Sequence, residues 1–313
     1  MPFAAPKEIY TGRVYPVTVG TGDKAVTFGG ENVLPFHGFE GETPNKPVVA
    51  YEIQDIQPTE WPEEISRVYA DVFGDPVKWA KYAQNDLKAK AIALRLQGTH
   101  PDSGNRSAAD TVKTVKAILA AVDVPLIILG SNHAEKDSDV LVKVAEAASG
   151  RNCIIGKAQE ANYKTIAAAA MANKHQLVAM SELDINLSKQ LNIMLIQMGF
   201  EKEKIIIDPM CSALGYGIEY TYTVMERIRL AALTQNDTTM QQPMLGDVGM
   251  YVWKIKEVSA SQEILPQWGA LKERGIAWEA QTACALLMAG AELLIMRHPE
   301  AVAAVEGFIA EMS

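Results

Sequence analysis

Short apolar runs of strand length alternate with longer amphipathic segments along most of this chain of 313 residues. Each run is followed by a polar bend and then by a segment with helical periodicity. The eight runs are Val48–Ile53, Ala91–Leu96, Leu126–Leu129, Cys153–Ile155, Leu177–Met180, Ile205–Ile207, Met244–Val248 and Leu293–Met296. Strands that alternate with helices pair in parallel through crossover connections, and about eight such units in about 250 residues predict a (β/α)8 TIM barrel.

Signals for helix ends support the alternation. Ser107 and Asp110 form a capping-box pattern before one amphipathic stripe, and Ser181 and Asp184 precede another as capping candidates. Pro299 is predicted to begin the last helix, because the first turn of a helix tolerates a missing N–H.

The first 47 residues do not follow this alternation. Val14–Val19 and Ala25–Phe28 are β-prone runs separated by a short glycine-containing loop, which predicts a β-hairpin. We therefore divide the chain into an N-terminal extension, residues 1–47, and a barrel domain, residues 48–313. The hairpin is expected to close the N-terminal end of the barrel, since barrel function lies at the opposite face.

The composition is that of an ordinary globular protein, with 48% hydrophobic and 21% charged residues. A formal net charge of −9 argues against nucleic acid as a partner, because phosphates select a basic surface. The sequence has neither an apolar run of about 18 residues nor the pattern of a secretory signal. We expect a cytoplasmic protein without a membrane segment.

Cysteine and histidine usage limits the cofactors that this chain could hold alone. The three cysteines, Cys153, Cys211 and Cys284, are dispersed and form no C-x-x-C pair, so no framework for a four-thiolate iron–sulfur cluster is present. The five histidines also lack the close spacing of metal ligands. No metal site and no catalytic triad are predicted.

Several long phrases in the predicted loops are more specific than any short motif. They are LPFHGFEGETPNKPVVAYEIQD from Leu34, QEANYK from Gln159, LDINLSKQLN from Leu183, IDPMCSALGYGIEYTYTVMERIR from Ile207 and LIMRHPEAV from Leu294. These phrases resemble the small subunit of the corrinoid iron–sulfur protein, also described as the delta subunit of the acetyl-CoA decarbonylase/synthase complex. The resemblance spans nearly the whole chain.

The resemblance implies a non-catalytic subunit of a methyl carrier in the reductive acetyl-CoA (Wood–Ljungdahl) pathway of anaerobic organisms. In that family a large subunit holds the [4Fe-4S] cluster and binds most of the cobalamin. The small subunit's barrel covers the corrinoid from the other side. The implied partners are the large subunit in a heterodimer, a methyltetrahydrofolate or tetrahydropterin methyltransferase, acetyl-CoA synthase and a corrinoid activator protein. This chain is expected to hold no cluster itself.

Candidate cofactor-binding residues follow the predicted strands, where barrels place their chemistry. They are Asn132, Lys157, Gln159, Asn162, Tyr163, Asp208, Arg297 and His298. Four of them follow the fourth strand and are expected to form an amide-rich loop surface suited to corrin side-chain amides or to a partner protein. These four are Lys157, Gln159, Asn162 and Tyr163. Arg297 and His298 could bind a corrinoid amide or phosphate, or could anchor the loop before Pro299.

Two alternatives remain open at this stage. The Asp208-Pro209 phrase is also similar to pterin-binding barrels, in which an aspartate at such a position hydrogen-bonds the pterin, so the chain could be a self-sufficient pterin-dependent methyltransferase. Glu52, Asp55 and Asn132 would then have to complete the pterin contacts. If there is no pterin site, Asp208 is expected to cap loop amides or to pair with a cation such as Arg297. The other alternative is a purely structural barrel without cofactor contact.

Overall fold

The computed structural model describes residues 6–264 and 266–312. An antiparallel hairpin, β1 (Val17–Val19) and β2 (Val26–Phe28), precedes eight parallel strands that close into a barrel. The barrel strands are β3 (Val48–Gln54), β4 (Ala91–Arg95), β5 (Leu126–Leu129), β6 (Ile154–Ala158), β7 (Gln176–Met180), β8 (Ile205–Asp208), β9 (Met244–Gly246) and β10 (Ala291–Met296). β10 pairs with both β3 and β9, which completes the closure.

Helices cover the outside of the barrel. They are α1 (Glu63–Val68), α2 (Pro76–Asn85), α3 (Ala108–Ala121), α4 (Ala134–Ala147), α5 (Tyr163–Ala172), α6 (Ile185–Gln197), α7 (Ile218–Leu233), α8 (Val248–Val252), α9 (Lys256–Ser259), α10 (Leu271–Met288) and α11 (Pro299–Glu311). Within the described ranges, no helix is both long enough and apolar enough to cross a membrane.

The predicted (β/α)8 barrel and its N-terminal hairpin are confirmed, with strand ends that differ from the prediction by at most three residues. β6 was predicted to end at Ile155 but continues to Ala158. Lys157 therefore lies inside a strand and not in the loop after it. This changes the expected environment of its side chain from a solvated rim to the barrel interior.

Helix caps follow the sequence signals. The Ser107 hydroxyl accepts a hydrogen bond from the backbone N–H of Asp110, and the Asp184 carboxylate accepts from the first turn of α6. Pro299 occupies the first turn of α11, as predicted. These caps satisfy amides that an isolated helix end leaves without partners.

The hairpin packs against the N-terminal end of the barrel. Val17, Val19 and Phe28 are buried in one cluster with the inward-facing residues of the barrel strands. Polar side chains at the N-terminal ends of β6 and β7 also bind the hairpin, since the Asn152 and Gln176 amides donate to the Thr18 carbonyl. One end of the barrel is thereby covered by the chain's own residues.

Candidate functional site

At the C-terminal ends of the barrel strands, charged side chains occupy the inward-facing positions that follow the apolar interior residues. Successive side chains of a strand point to opposite faces, so Glu52 shares a face with Ala50, and Arg95 shares a face with Ala93. Both alanines belong to the apolar interior cluster. The next inward-facing positions therefore place the Glu52 carboxylate and the Arg95 guanidinium on the C-terminal side of this apolar interior.

Six charged side chains meet there in alternating order, and we call this set the ionic chain. It runs Arg297, Glu52, Arg95, Asp247, Lys157 and Asp208. Glu52 receives the guanidiniums of Arg297 and Arg95 at N–O distances of 2.9–3.3 Å. Asp247 receives Arg95 at 2.9 Å and the Lys157 ammonium at 2.7 Å, and that ammonium lies 2.8 Å from Asp208.

The ionic chain is almost completely buried, because no member has more than 3% of its side chain exposed. Burial alone would raise the pKa of Glu52, but the cations Arg297 and Arg95 lower it to about 2. Burial would likewise lower the pKa of Lys157, which Asp208 and Asp247 raise instead. The formal charges of three basic and three acidic side chains thus balance within the ionic chain.

The interpretation of Asp208 is corrected in one respect. Its carboxylate accepts a hydrogen bond from the backbone N–H of Met210 at 2.9 Å, as the capping alternative predicted. The paired cation, however, is Lys157 and not Arg297, whose guanidinium binds Glu52. The prediction that Lys157 lies on a loop surface was wrong for the same reason, since its ammonium is directed inward to two carboxylates.

Arg297 and His298 anchor the chain after β10. The Arg297 guanidinium also lies over the Trp61 ring, 4.5 Å from its centroid. His298 caps α11 by accepting from the N–H of Glu300, and its ring stacks on Trp253. Both backbone N–H groups donate to the carboxylate of Glu279, at 2.6 and 3.0 Å.

Glu279 is buried in α10, and burial raises its pKa to about 7 despite these two hydrogen bonds. A carboxyl whose pKa is raised on folding stabilises the protein below its unfolded pKa and loses that contribution as pH rises through the folded value. We expect Glu279→Gln to flatten the decline in the free energy of unfolding between pH 5 and 7, by about 1 kcal/mol per pH unit, and to leave the slope above about pH 7 unchanged.

The measurement is urea unfolding at pH 5, 6, 7 and 8. The pKa values of His175 and His298 are lowered by burial, so these residues give the opposite slope, stability gained as pH rises. Both remain in the variant, and the difference between the two proteins isolates Glu279. Parallel pH profiles would contradict the expectation.

The remaining candidate residues lie apart from the ionic chain. Asn132 is exposed, and its side-chain amide approaches the Met250 sulfur at 3.8 Å. Asn162 is buried, and its side-chain oxygen accepts from the N–H of Gln159, so it orders the loop after β6. Tyr163 begins α5 and is partly buried. These residues occupy the side of the rim near β5 to β7.

A cavity of about 540 Å³ opens at the rim above β3, β4 and β10. It is lined by Gln54, Ile56, Gln57, Pro58, Thr59, Glu60, Trp61, Arg95, Gln97, Asp102, Ser103, Met250, Trp253, Lys254 and Arg297. Nη1 of Arg95 has no hydrogen-bond partner among the described residues although it is buried. The cavity thus combines indole rings, side-chain amides and one unsatisfied guanidinium donor.

Sequence reasoning missed Asp247, Glu279 and this cavity. Asp247 directly follows β9, but the predicted run Met244–Val248 extended past it and hid the strand-end signal that identified Asp208. Glu279 lies in the middle of a helix and carries no comparable signal. In the part of the chain that the structure describes, no group of three or more His, Cys, Asp or Glu side chains is arranged to hold a metal ion.

The closed eight-stranded parallel barrel defines the fold class, an α/β barrel of the dihydropteroate synthase type. Vibrio fischeri 7,8-dihydropteroate synthase superposes with a TM-score of 0.60 at 13% identity, over 95% of this chain and 98% of that one. The Xanthomonas albilineans enzyme with 4-aminobenzoic acid gives 0.58 at 15% identity, over 87% and 96%. At such identities the likeness shows the fold alone.

The chain belongs to the CO dehydrogenase/acetyl-CoA synthase delta subunit family, whose sequence model matches residues 16–306. It is 36% identical over 302 residues to the acetyl-CoA decarbonylase/synthase complex subunit delta of Methanothermobacter thermautotrophicus, covering 96% of this chain and 76% of that protein. Subunit delta 1 of Methanosarcina thermophila is 36% identical over 292 residues, with coverages of 92% and 66%. The chain is thus a member of the delta subunit family, and its barrel has the fold of dihydropteroate synthases.

Proposed function

We propose that this chain is the barrel subunit that covers a corrinoid in a heterodimeric methyl carrier, and that it contributes no catalytic acid or base. The methyl group would come from a methyltetrahydrofolate or tetrahydropterin methyltransferase and pass to acetyl-CoA synthase. Cobalamin and the [4Fe-4S] cluster would be held mainly by the large subunit, with a corrinoid activator protein as a further partner. The location would be the cytoplasm.

The observation that carries this proposal is that the charged side chains at the C-terminal end of the barrel are already paired with one another. A pterin needs carboxylate and amide groups that are available to pair with its ring. Asp208 is engaged by Lys157, Glu52 by two guanidiniums, and Asp55 by Arg106 and the N–H of Gly98. Displacing these cations would leave buried charges unpaired, which costs several kcal/mol. This argues against the pterin-dependent methyltransferase.

The cavity beside the ionic chain fits a large ligand that carries side-chain amides. The Gln57 and Gln97 side-chain amides in the cavity wall can both donate and accept. Trp61, which is partly buried, offers apolar surface for a ring edge. When bound, the corrinoid supplies the cobalt that carries the methyl group, while these residues bind it and exclude water.

Shortening the cavity's amides should loosen the corrinoid in the assembled heterodimer. We expect Gln57→Ala with Gln97→Ala to raise the dissociation constant by about threefold to tenfold, the range for one or two lost hydrogen bonds. The matched control is Thr21→Ala with Lys24→Ala, which alters exposed residues beside the hairpin at the opposite end of the barrel.

The experiment is equilibrium dialysis of the corrinoid, with methyl-transfer rates measured on the same preparations. Equal retention in the rim and hairpin variants would exclude the cavity as the corrinoid contact and favour a purely structural barrel. A second arm tests the isolated chain by calorimetry with methyltetrahydrofolate. Saturable micromolar binding that Asp208→Ala abolishes would replace the proposal with the pterin alternative.

A further inference from the structure

Lys254 lies between two cavities at the C-terminal rim of the barrel. It lines the cavity above β3, β4 and β10, and it also lines a second cavity of about 540 Å³ whose wall includes Met210, Tyr251 and Lys256. The side chain is exposed, and among the described residues its ammonium makes neither a hydrogen bond nor an ion pair. A cation at this place is therefore available to a ligand that covers the rim.

Buried neighbours fix the backbone position of Lys254. It lies in the turn between α8 and α9, and the residues on either side of it, Trp253 and Ile255, are 2% and 5% exposed. The N–H of Ile255 donates to the Val252 carbonyl at 3.2 Å, and the Trp253 ring stacks on His298. The side chain of Lys254 thus starts from an anchored part of the rim.

The charge of Lys254 differs from those of its neighbours in having no direct partner. Of the cations in the wall of the first cavity, Arg95, Arg297 and Lys254, only the lysine lacks an ion pair within the described ranges. The carboxylates of that wall, Glu60 and Asp102, are exposed, and neither pairs with it. Burial and the guanidiniums of Arg297 and Arg95 lower the pKa of Lys254. The lysine thus adds an uncompensated positive charge to the cavity wall.

We propose that the positive charge of Lys254 raises the Co(II)/Co(I) reduction potential of the corrinoid that this subunit covers, and this inference rests on the proposed function. The reduction adds one electron to the cobalt and takes up no proton. The electron would come from a one-electron donor of low potential, such as the iron–sulfur cluster assigned to the large subunit. Because the charge at the cobalt falls by one, a nearby cation stabilises the Co(I) state more than the Co(II) state.

Covering the rim strengthens this effect. In the free chain water screens the ammonium, whereas a ligand seated in the cavity displaces that water and lowers the local dielectric constant. The guanidiniums of Arg95 and Arg297 have a weaker influence on such a ligand, because carboxylates of the ionic chain neutralise them. Lys254 is therefore the cation of this wall whose removal should change the potential most.

The test is a spectroelectrochemical titration of the heterodimer loaded with cobalamin, which follows the absorption bands of the Co(II) and Co(I) states. At a fixed electrode potential, Lys254→Met should lower the ratio of Co(I) to Co(II) by about threefold to tenfold, a fall of about 28–59 mV in the midpoint potential. Lys254→Arg keeps the charge and should stay within about twofold of the parent. Glu60→Gln removes a negative charge from the same wall and should shift the ratio in the opposite direction.

Lys256→Met is the matched control, because of the two cavities this lysine lines only the second, and its side chain is 86% exposed. It should leave the ratio within about twofold of the parent. Lys254→Gln keeps a hydrogen-bond donor without the charge, so it gives the same test if the methionine variant releases the cobalamin. An unchanged ratio in both uncharged Lys254 variants, an equal fall in Lys256→Met, or an equal fall in Lys254→Arg would overturn the proposal.

Acetylation of the parent protein separates failure of this inference from failure of the proposed function. The heterodimer is treated with acetic anhydride with and without bound cobalamin, and the acetylated peptides are quantified by mass spectrometry. Cobalamin should slow the acetylation of Lys254 and leave Lys24, beside the hairpin at the opposite end of the barrel, unchanged. Protection of Lys254 without a shift in potential would overturn the inference alone. Absence of protection would contradict the cobalamin contact in the proposed function and the inference with it.

Discussion

Replacing Glu52 by Gln is expected to lower the free energy of unfolding by about 3–5 kcal/mol at pH 7, the usual cost of removing one partner of a buried ion pair. The substitution keeps the size of the side chain, so the loss reports charge and not a cavity. Arg297 would lose its carboxylate partner, and Arg95 would retain only Asp247. Chemical denaturation of both proteins measures the difference.

The pH profile of that difference identifies its origin. The pKa of Glu52 is lowered to about 2, so its contribution is present above the unfolded value near 4.5 and lost as pH falls toward 2. The difference should be constant from pH 5 to 8 and shrink below about pH 4.5. Glu63→Gln is the control, because its pair with Arg67 is exposed and should contribute less than about 1 kcal/mol. Equal effects of the two substitutions would refute the argument.

Lys157→Met is expected to destabilise the barrel by a similar amount, about 3–5 kcal/mol at pH 7. The substitution leaves the carboxylates of Asp208 and Asp247 without the ammonium that lies 2.8 and 2.7 Å from them. Like charges in a buried site raise one pKa, so the variant should lose stability as pH rises and be closest to the parent near pH 5.

Removing one of the two stranded carboxylates should restore part of the loss. We expect Lys157→Met with Asp208→Asn to recover more than half of the destabilisation, because the charge balance of the ionic chain is restored. Lys143→Met breaks the exposed pair with Asp139 and should change stability by less than about 1 kcal/mol. Stability that is additive in the double variant would show that Lys157 and Asp208 act independently.

The fold was predictable because its determinants are local. Runs of apolar residues marked the eight strands, and short-range signals such as Ser107 and Asp184 marked helix starts that the structure confirms. Strand ends were less well determined. The apolar run that predicted β6 stops at Ile155, whereas a network of paired charges allows Lys157 to remain in a buried strand that continues to Ala158.

The site was less predictable because its partners are distant in sequence. Arg297 and Glu52 are separated by 245 residues, and Lys157 and Asp247 by 90. The position of Asp208 at the end of a strand predicted that it would lie at the rim, but strand periodicity does not reveal which cation lies opposite. Placement of the cavity above β3, β4 and β10 depends on how the loops fold across the rim, which no local signal encodes.

The hairpin covers the N-terminal end of the packed barrel, so a ligand can approach the strand ends only from the C-terminal rim. Val17, Val19 and Phe28 fill the base, and the ionic chain forms a floor below the rim. Under the proposed function, a cofactor held at that rim would present one side to the outside, so a methyl donor and a methyl acceptor would have to occupy the same space in turn. Their kinetics should then show mutual competition, with each protein acting as an inhibitor of the other's half-reaction.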